Sequence, residues 1–203
     1  MRLAHFLLAF FKPLFWLLFP YKAEGRENLP PSGGGRPMMI CANHISDIDP
    51  VFLLMAQKRH IYYMAKAELF GSGIARWFFG KKFGAFPVKR GTGDTSAIDT
   101  SERIVKEGKL LGIFPEGTRS KDGKLGRAKS GAALIASRTG SWIIPAAIQA
   151  KDQKVRLFHR TTIRFGIPLS PEELHLEDPE HPDLRYASRL IMERIAGMME
   201  EAS

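Results

Sequence analysis

The sequence predicts a single α/β domain, a mainly parallel sheet flanked by helices, preceded by an N-terminal membrane-associating segment. Three observations lead there. Short apolar runs of strand length recur along the chain, segments of helical character separate them, and no internal repeat or low-complexity tract interrupts the alternation. The chain has 203 residues, 44% of them hydrophobic, which suits one domain with a sizeable core.

Residues 1–21 contain no acid and hold two apolar runs, Phe6 to Phe11 and Leu14 to Phe19, divided by Lys12 and Pro13. A spanning helix needs about 20 largely apolar residues. A central lysine costs about 2.5–3.5 kcal/mol on insertion scales. The segment therefore fits a monotopic arrangement, with aromatics in the apolar layer and Arg2, Lys12 and Lys22 toward headgroups. A cleaved signal peptide is a rival, but Ala23-Glu24-Gly25 carries a charge where a small neutral site is needed. A helix packed on the domain is the third possibility. Pro30 to Gly35 reads as a turn or linker, so the membrane-associating segment and linker cover 1–35 and the folded domain 36–203.

Within that domain, strand-like runs fall at 37–42, 60–65, 84–88, 110–114, 142–148 and 160–167. Helix-like segments lie near 50–58, 72–80, 95–108 and 130–139. Residues 130–136 have the small, apolar character of a helix packed closely on a sheet. Leu184, Ala187, Leu190, Ile191, Ile195 and Met198 recur at helical spacing in a final amphipathic helix that covers the core.

The net charge is +9, unevenly spread: residues 1–93 carry +8, residues 94–170 carry +7 and residues 171–203 carry −6. A basic body suits an anionic partner such as lipid headgroups or phosphates. The single cysteine, Cys41, excludes an intramolecular disulfide framework, and its place in an apolar strand reads as a buried thiol rather than a nucleophile. No Cys/His cluster has zinc spacing, so no metal is expected. No helix-turn-helix, RNP or zinc pattern points to nucleic acid.

Two stretches carry the chemistry. Asn43-His44-Ile45-Ser46-Asp47-Ile48-Asp49-Pro50 follows an apolar strand and sets a histidine and an aspartate five positions apart. A carboxylate that accepts the Nδ1 proton of such a histidine leaves Nε2 to take a proton from a substrate hydroxyl. Phe114-Pro115-Glu116-Gly117-Thr118-Arg119-Ser120 also follows an apolar run. Gly117 lets that backbone turn, and Arg119 offers a planar fork of donors suited to phosphate.

Together, N-H-x-S-x-x-D and F-P-E-G-T-R-S resemble the glycerophospholipid acyltransferase family. Gly84 to Arg90 is similar to its second motif and Trp142 to Ile148 to its fourth, and the four blocks fall in family order over residues 43–148. The resemblance implies acyl transfer from a thioester, acyl-CoA or acyl carrier protein, to the free hydroxyl of a lysophospholipid at a membrane surface, with no cofactor. It makes His44 the base and selects Asp49, rather than Asp47, as its orienting partner. Asp47 is then left to cap the following helix. Asn43 and Ser46 are expected to fix the turn by bonds to backbone.

For the acceptor's phosphate the resemblance implies Arg119 first, then Lys66 and Arg90, with the amides of Gly117 and Thr118 as added donors and Lys129 nearby. Glu116 is expected either to bind acceptor, to hold Arg119, or to organise the loop. Pro145 is expected to shape a strand end beside the pocket, and Phe78, Phe79, Phe83 and Phe86 are apolar enough to line an acyl tunnel. Acceptors other than 1-acylglycerol 3-phosphate, namely another lysophospholipid, glycerol 3-phosphate or a lipid-linked amine, fit the same motifs. A non-catalytic protein of anionic membranes would need no oriented base. The implied location is the cytoplasmic face of the cell membrane.

Overall fold

The computed structural model describes residues 12–30, 36–73, 77, 80, 83–88, 95–120 and 122–200. Its centre is a seven-stranded sheet. The strands are β1 (Tyr21–Glu24), β2 (Met38–Ala42), β3 (Ile61–Lys66), β4 (Ala85–Val88), β5 (Leu110–Ile113), β6 (Trp142–Ala150) and β7 (Thr161–Phe165). Their order across the sheet is β1-β7-β6-β2-β5-β3-β4. The five from β6 to β4 are mutually parallel. β7 is antiparallel to β6, and β1 is parallel to β7, so this pair runs against the rest. Each of the six strands read from the sequence is present, shifted by at most two residues at an end.

β1 was not foreseen, because Tyr-Lys-Ala-Glu has no apolar run. It is an edge strand, paired on one side only, and one of its two ends is fixed by an ion pair between Glu24 and Arg164 of β7 at 2.6 Å. The helices are α1 (Asp49–Ala56), α2 (Thr95–Lys106), α3 (Gly131–Thr139) and α4 (Leu184–Glu200). The helix expected near 72–80 falls mostly outside the described residues.

The two sheet faces are covered differently. On one, Met39, Cys41, Leu111 and Ile143 pack against Ile104 and Val105 of α2, Ala133 and Ile135 of α3, and Ala187, Ile191 and Ile195 of α4. The small side chains of α3 are buried in this cluster, but its closest main-chain neighbours are α2 and α4 rather than a strand, and it is α4 that lies close on β6, so the close packing on the sheet expected of 130–136 is not what the structure shows. Ala187, Ile191 and Ile195 lie at helical spacing on the buried stripe of α4. On the other face Ile40, Ile144, Ile148 and Ile163 pack against Phe52 and Leu53 of α1.

Phe52 also meets Phe15 edge-on, with ring centroids 5.3 Å apart, so the helical stretch 12–18 lies against the domain through one side. Its other side leaves Leu14, Trp16 and Leu17 exposed. No helix among the described residues is long and apolar enough to cross a membrane. The rest of the expected membrane segment, residues 1–11 and 31–35, lies outside the described residues.

Gly112 of β5 permits one close approach. A Cβ there would lie 2.3 Å from the ring of Tyr63, its register partner on β3, so the ring can lie across the neighbouring strand.

Candidate active site

Because five strands are parallel, their C-terminal ends share one edge of the sheet, the usual place for ligands in such folds. His44 follows β2, Lys66 ends β3, and the loop from Phe114 to Ser120 follows β5. The fold thus brings His44 and Arg119, 75 residues apart in sequence, to the same edge.

At the end of β2 the side chain of Asn43 prolongs the sheet. Its amide donates to Ile148 O at 2.9 Å and its Oδ1 accepts from Ile148 N–H at 2.7 Å. The pairing with β6 therefore continues by one side chain while the main chain turns away. Asn43 does not bond within its own turn, as expected of it, but across the sheet. Ser46 does bond locally, accepting from Ile48 N–H at 3.4 Å.

His44 is held from four directions. Its Nδ1 lies 2.8 Å from Asp49 Oδ2. Since an ionised carboxylate can only accept, Nδ1 is the donor and Nε2 is left as the free basic nitrogen. Its backbone N–H donates to Glu116 Oε1 at 3.1 Å, and its carbonyl accepts from Ser120 N–H at 2.8 Å. Its ring stacks on Phe114, with centroids 4.1 Å apart and planes 19° from parallel. Phe114 in turn stacks with Tyr63 at 6.1 Å. Three of these four restraints come from the loop after β5, which is the physical link between the first and third motifs.

Asp49 is fully buried, and its Oδ2 also accepts from the N–H groups of Ile45 and Ser46, both at 2.7 Å. It sits in the first turn of α1, where the helix dipole favours an anion. Three donors thus converge on Oδ2 and fix the orientation of the carboxylate, while Oδ1 is buried with no hydrogen-bond partner among the described residues. Burial and the neighbouring Asp49 charge push the Tyr63 hydroxyl well above the usual tyrosine range, so it remains protonated, 3.2 Å from Pro50 O. Burial pushes the Cys41 thiol up to about 12, in line with its reading as an inert side chain.

Glu116 is buried, and its two oxygens are engaged within the protein. Oε1 accepts from His44 N–H, and Oε2 accepts from Gly126 N–H at 2.8 Å. Of its three expected uses, the structure shows loop organisation, and the pair with Arg119 is not formed. Arg119 instead meets Asp47, Nη1 to Oδ2 2.6 Å, with both side chains at least half exposed. Asp47 consequently does not cap α1, whose N-terminus has no side-chain cap. Asp49, by bonding Ile45 and Ser46, fixes that turn instead.

Gly117 has φ +71°, and its N–H closes a turn onto Phe114 O at 2.9 Å. A Cβ there would lie 3.0 Å from Lys129 Nζ, so Lys129 lies over the turn, next to the loop that carries Arg119. Thr118, Arg119, Lys129 and Lys66 are all exposed. Pro145 is not at a strand end: it is the fourth residue of nine in β6, and its carbonyl accepts from Gly166 N–H. It lines a cavity with Glu24 of β1 and Arg164 of β7, strands three and two places from β2 across the sheet. Arg90, Phe78 and Phe79 lie outside the described residues; Phe83 and Phe86 are half-buried, and Phe86 packs on the core.

The site is thus a buried, carboxylate-oriented imidazole beside an exposed cationic loop. The acyltransferase family profile matches residues 21–149, and the chain belongs to that family. It is 36% identical over 183 residues to the 1-acyl-sn-glycerol-3-phosphate acyltransferase of Bacillus subtilis, covering 88% of this chain and 82% of that protein. It is 31% identical to the enzyme of the same name from Streptococcus pneumoniae, over 67% of this chain and 51% of that one. The fold also matches the crystal structure of the 1-acyl-sn-glycerophosphate acyltransferase from Thermotoga maritima, with a TM-score of 0.72, 22% identity, and coverage of 98% of this chain and 82% of that one.

Proposed function

We propose that the protein transfers an acyl group from acyl-CoA or acyl carrier protein to the sn-2 hydroxyl of 1-acylglycerol 3-phosphate, giving phosphatidic acid. The observation that carries this reading is the His44–Asp49 pair, a buried 2.8 Å contact that leaves Nε2 free. The names of the bacterial relatives supply the acceptor class.

His44 Nε2 takes the hydroxyl proton as the acceptor oxygen attacks the thioester carbonyl. Asp49 stabilises the imidazolium so formed, as the carboxylate does in serine hydrolases. The tetrahedral intermediate then collapses, the C–S bond breaks, and the departing thiolate receives the proton from Nε2. No side chain becomes acylated. Arg119 grips the acceptor phosphate after leaving Asp47, with Lys66, Arg90, Lys129 and the Gly117 and Thr118 amides as further donors. Residues 1–21 hold the enzyme on the cytoplasmic face of the membrane, where a lipid acceptor and a cytosolic donor can meet.

The test is product formation by the purified protein, with a panel of acceptors against both donor types. Phosphatidic acid from 1-acylglycerol 3-phosphate is the expected product. Faster turnover of glycerol 3-phosphate or of an unphosphorylated acceptor would overturn the acceptor assignment.

A further inference from the structure

The edge of the sheet that carries His44 has a second feature. β6 ends there at Ala150 and β7 begins there at Thr161, so the loop 151–160 projects from the site edge. β1 runs against β6, so the helical stretch 12–18 that leads into it reaches the same edge. The two elements are bonded to each other: Phe158 N–H donates to Leu18 O at 2.7 Å, and Thr161 N–H to Pro20 O at 2.9 Å.

Between them they present five large apolar side chains to solvent: Leu14 (51% exposed), Trp16 (55%), Leu17 (60%), Leu157 (51%) and Phe158 (67%). Phe158 has φ +62°, the left-handed region that side chains rarely adopt. The bond from its N–H to Leu18 O holds the backbone in that conformation, and the ring is left pointing out of the fold. The two stretches also carry Lys12, Lys151, Lys154, Arg156 and Arg160, with Asp152 as their one acid, itself paired with Arg156 at 3.3 Å. Exposed leucines and aromatics on stretches rich in cations match the chemistry of an anionic lipid surface. The loop also touches the cationic loop of the site, since a Cβ on Gly123 would lie 2.5 Å from the Gln153 side chain.

We infer that the loop 151–160 is a second membrane-contacting element, inserting Leu157 and Phe158 into an anionic bilayer beside the exposed face of the 12–18 helix. Two contacts fix an orientation where one leaves a pivot, and this pair turns the C-terminal edge of the sheet, with His44, toward the lipid. The inference rests on the proposed reading that the acceptor lies in a bilayer, but vesicle binding tests it without any chemistry.

The experiment is co-sedimentation of the full chain with phosphatidylglycerol and with phosphatidylcholine vesicles. Leu157→Glu/Phe158→Glu is expected to weaken binding to phosphatidylglycerol at least about tenfold. Phe158→Asn, which tolerates the left-handed backbone and removes the ring, should weaken it less while keeping the fold. Ile167→Glu, 76% exposed beyond the other end of β7, should bind as the unaltered chain does. Turnover of a short-chain, water-soluble acceptor should be unchanged in all three.

Normal vesicle binding by the double variant would overturn the inference, and so would an equal loss in Ile167→Glu. Normal vesicle binding with turnover lost only for a carrier-protein donor would assign the loop to that protein instead. If the unaltered chain acylates no acceptor while the double variant still loses vesicle binding, the proposed reaction fails and the loop's role stands.

Discussion

The proposed base and the proposed phosphate loop share one edge of the sheet yet are built in opposite ways. His44 and Asp49 are buried, and the histidine ring, amide and carbonyl each have a partner before any substrate arrives. Arg119 stands on an exposed loop with one exposed partner, Asp47. Buried charge-assisted bonds hold a group within the narrow geometry that proton transfer requires. An exposed ion pair is worth little, about 0–1 kcal/mol, and is readily exchanged for another anion. The difference suggests a division of labour, with the chemistry organised in advance and recognition left to be completed by the acceptor.

The largest effect expected is from His44→Ala, which should lower turnover by at least about 100-fold with the fold retained, as seen by circular dichroism. Turnover near that of the unaltered enzyme would remove the base from the comparison. Asp49→Asn should also cost about 100-fold or more, because an amide neither stabilises the imidazolium nor holds the ring in the required tautomer. It should also lower the melting temperature, since two backbone N–H groups lose an ionised acceptor.

Arg119→Lys tests the other region. It keeps the charge and loses the fork, so the acceptor KM should rise roughly tenfold with kcat little changed. An equal loss for phosphorylated and unphosphorylated acceptors would contradict phosphate recognition. Asp47→Ala should change the acceptor KM by less than about threefold, and downward, because it frees Arg119. A large fall in kcat from Asp47→Ala would show that the exposed pair belongs to the preorganised half after all.

The smallest effect belongs to neither region. Hydrogen bonds from Arg138 and Lys106 hold the Glu102 carboxyl below its ordinary value of 4.5, although burial pushes it the other way. Its folded value being the lower, its contribution is present above about 4.5 and lost as pH falls through the folded value. The melting temperature of Glu102→Gln should therefore lie below that of the unaltered protein at pH 7 and approach it as the pH falls below the folded value.

The sequence revealed the pieces whose logic is local. The contact of His44 with Asp49 was legible because both lie in one short block of distinctive residues after a strand. The parallel sheet was legible because apolar runs alternate with helical segments. What stayed hidden depends on contacts across the fold. Nothing around Asn43 announces Ile148, 105 residues away, and nothing around Glu116 announces that its second oxygen goes to Gly126. The Asp47 cap was misread because cap rules count neighbours along the chain, whereas Arg119 approaches from 72 residues away. Pro145 was misplaced because β6 runs past it to Ala150.

The stack of His44 on Phe114 has an observable side. Protons held over the face of an aromatic ring are shielded by its circulating electrons. With centroids 4.1 Å apart and nearly parallel planes, the imidazole C–H signals of His44 should be displaced upfield from those of the exposed His159 and His181. Phe114→Leu should return them to the ordinary region of the spectrum. The protein thus carries a native magnetic label on its proposed base, by which acceptor binding can be followed at the nitrogen that matters, without an added probe.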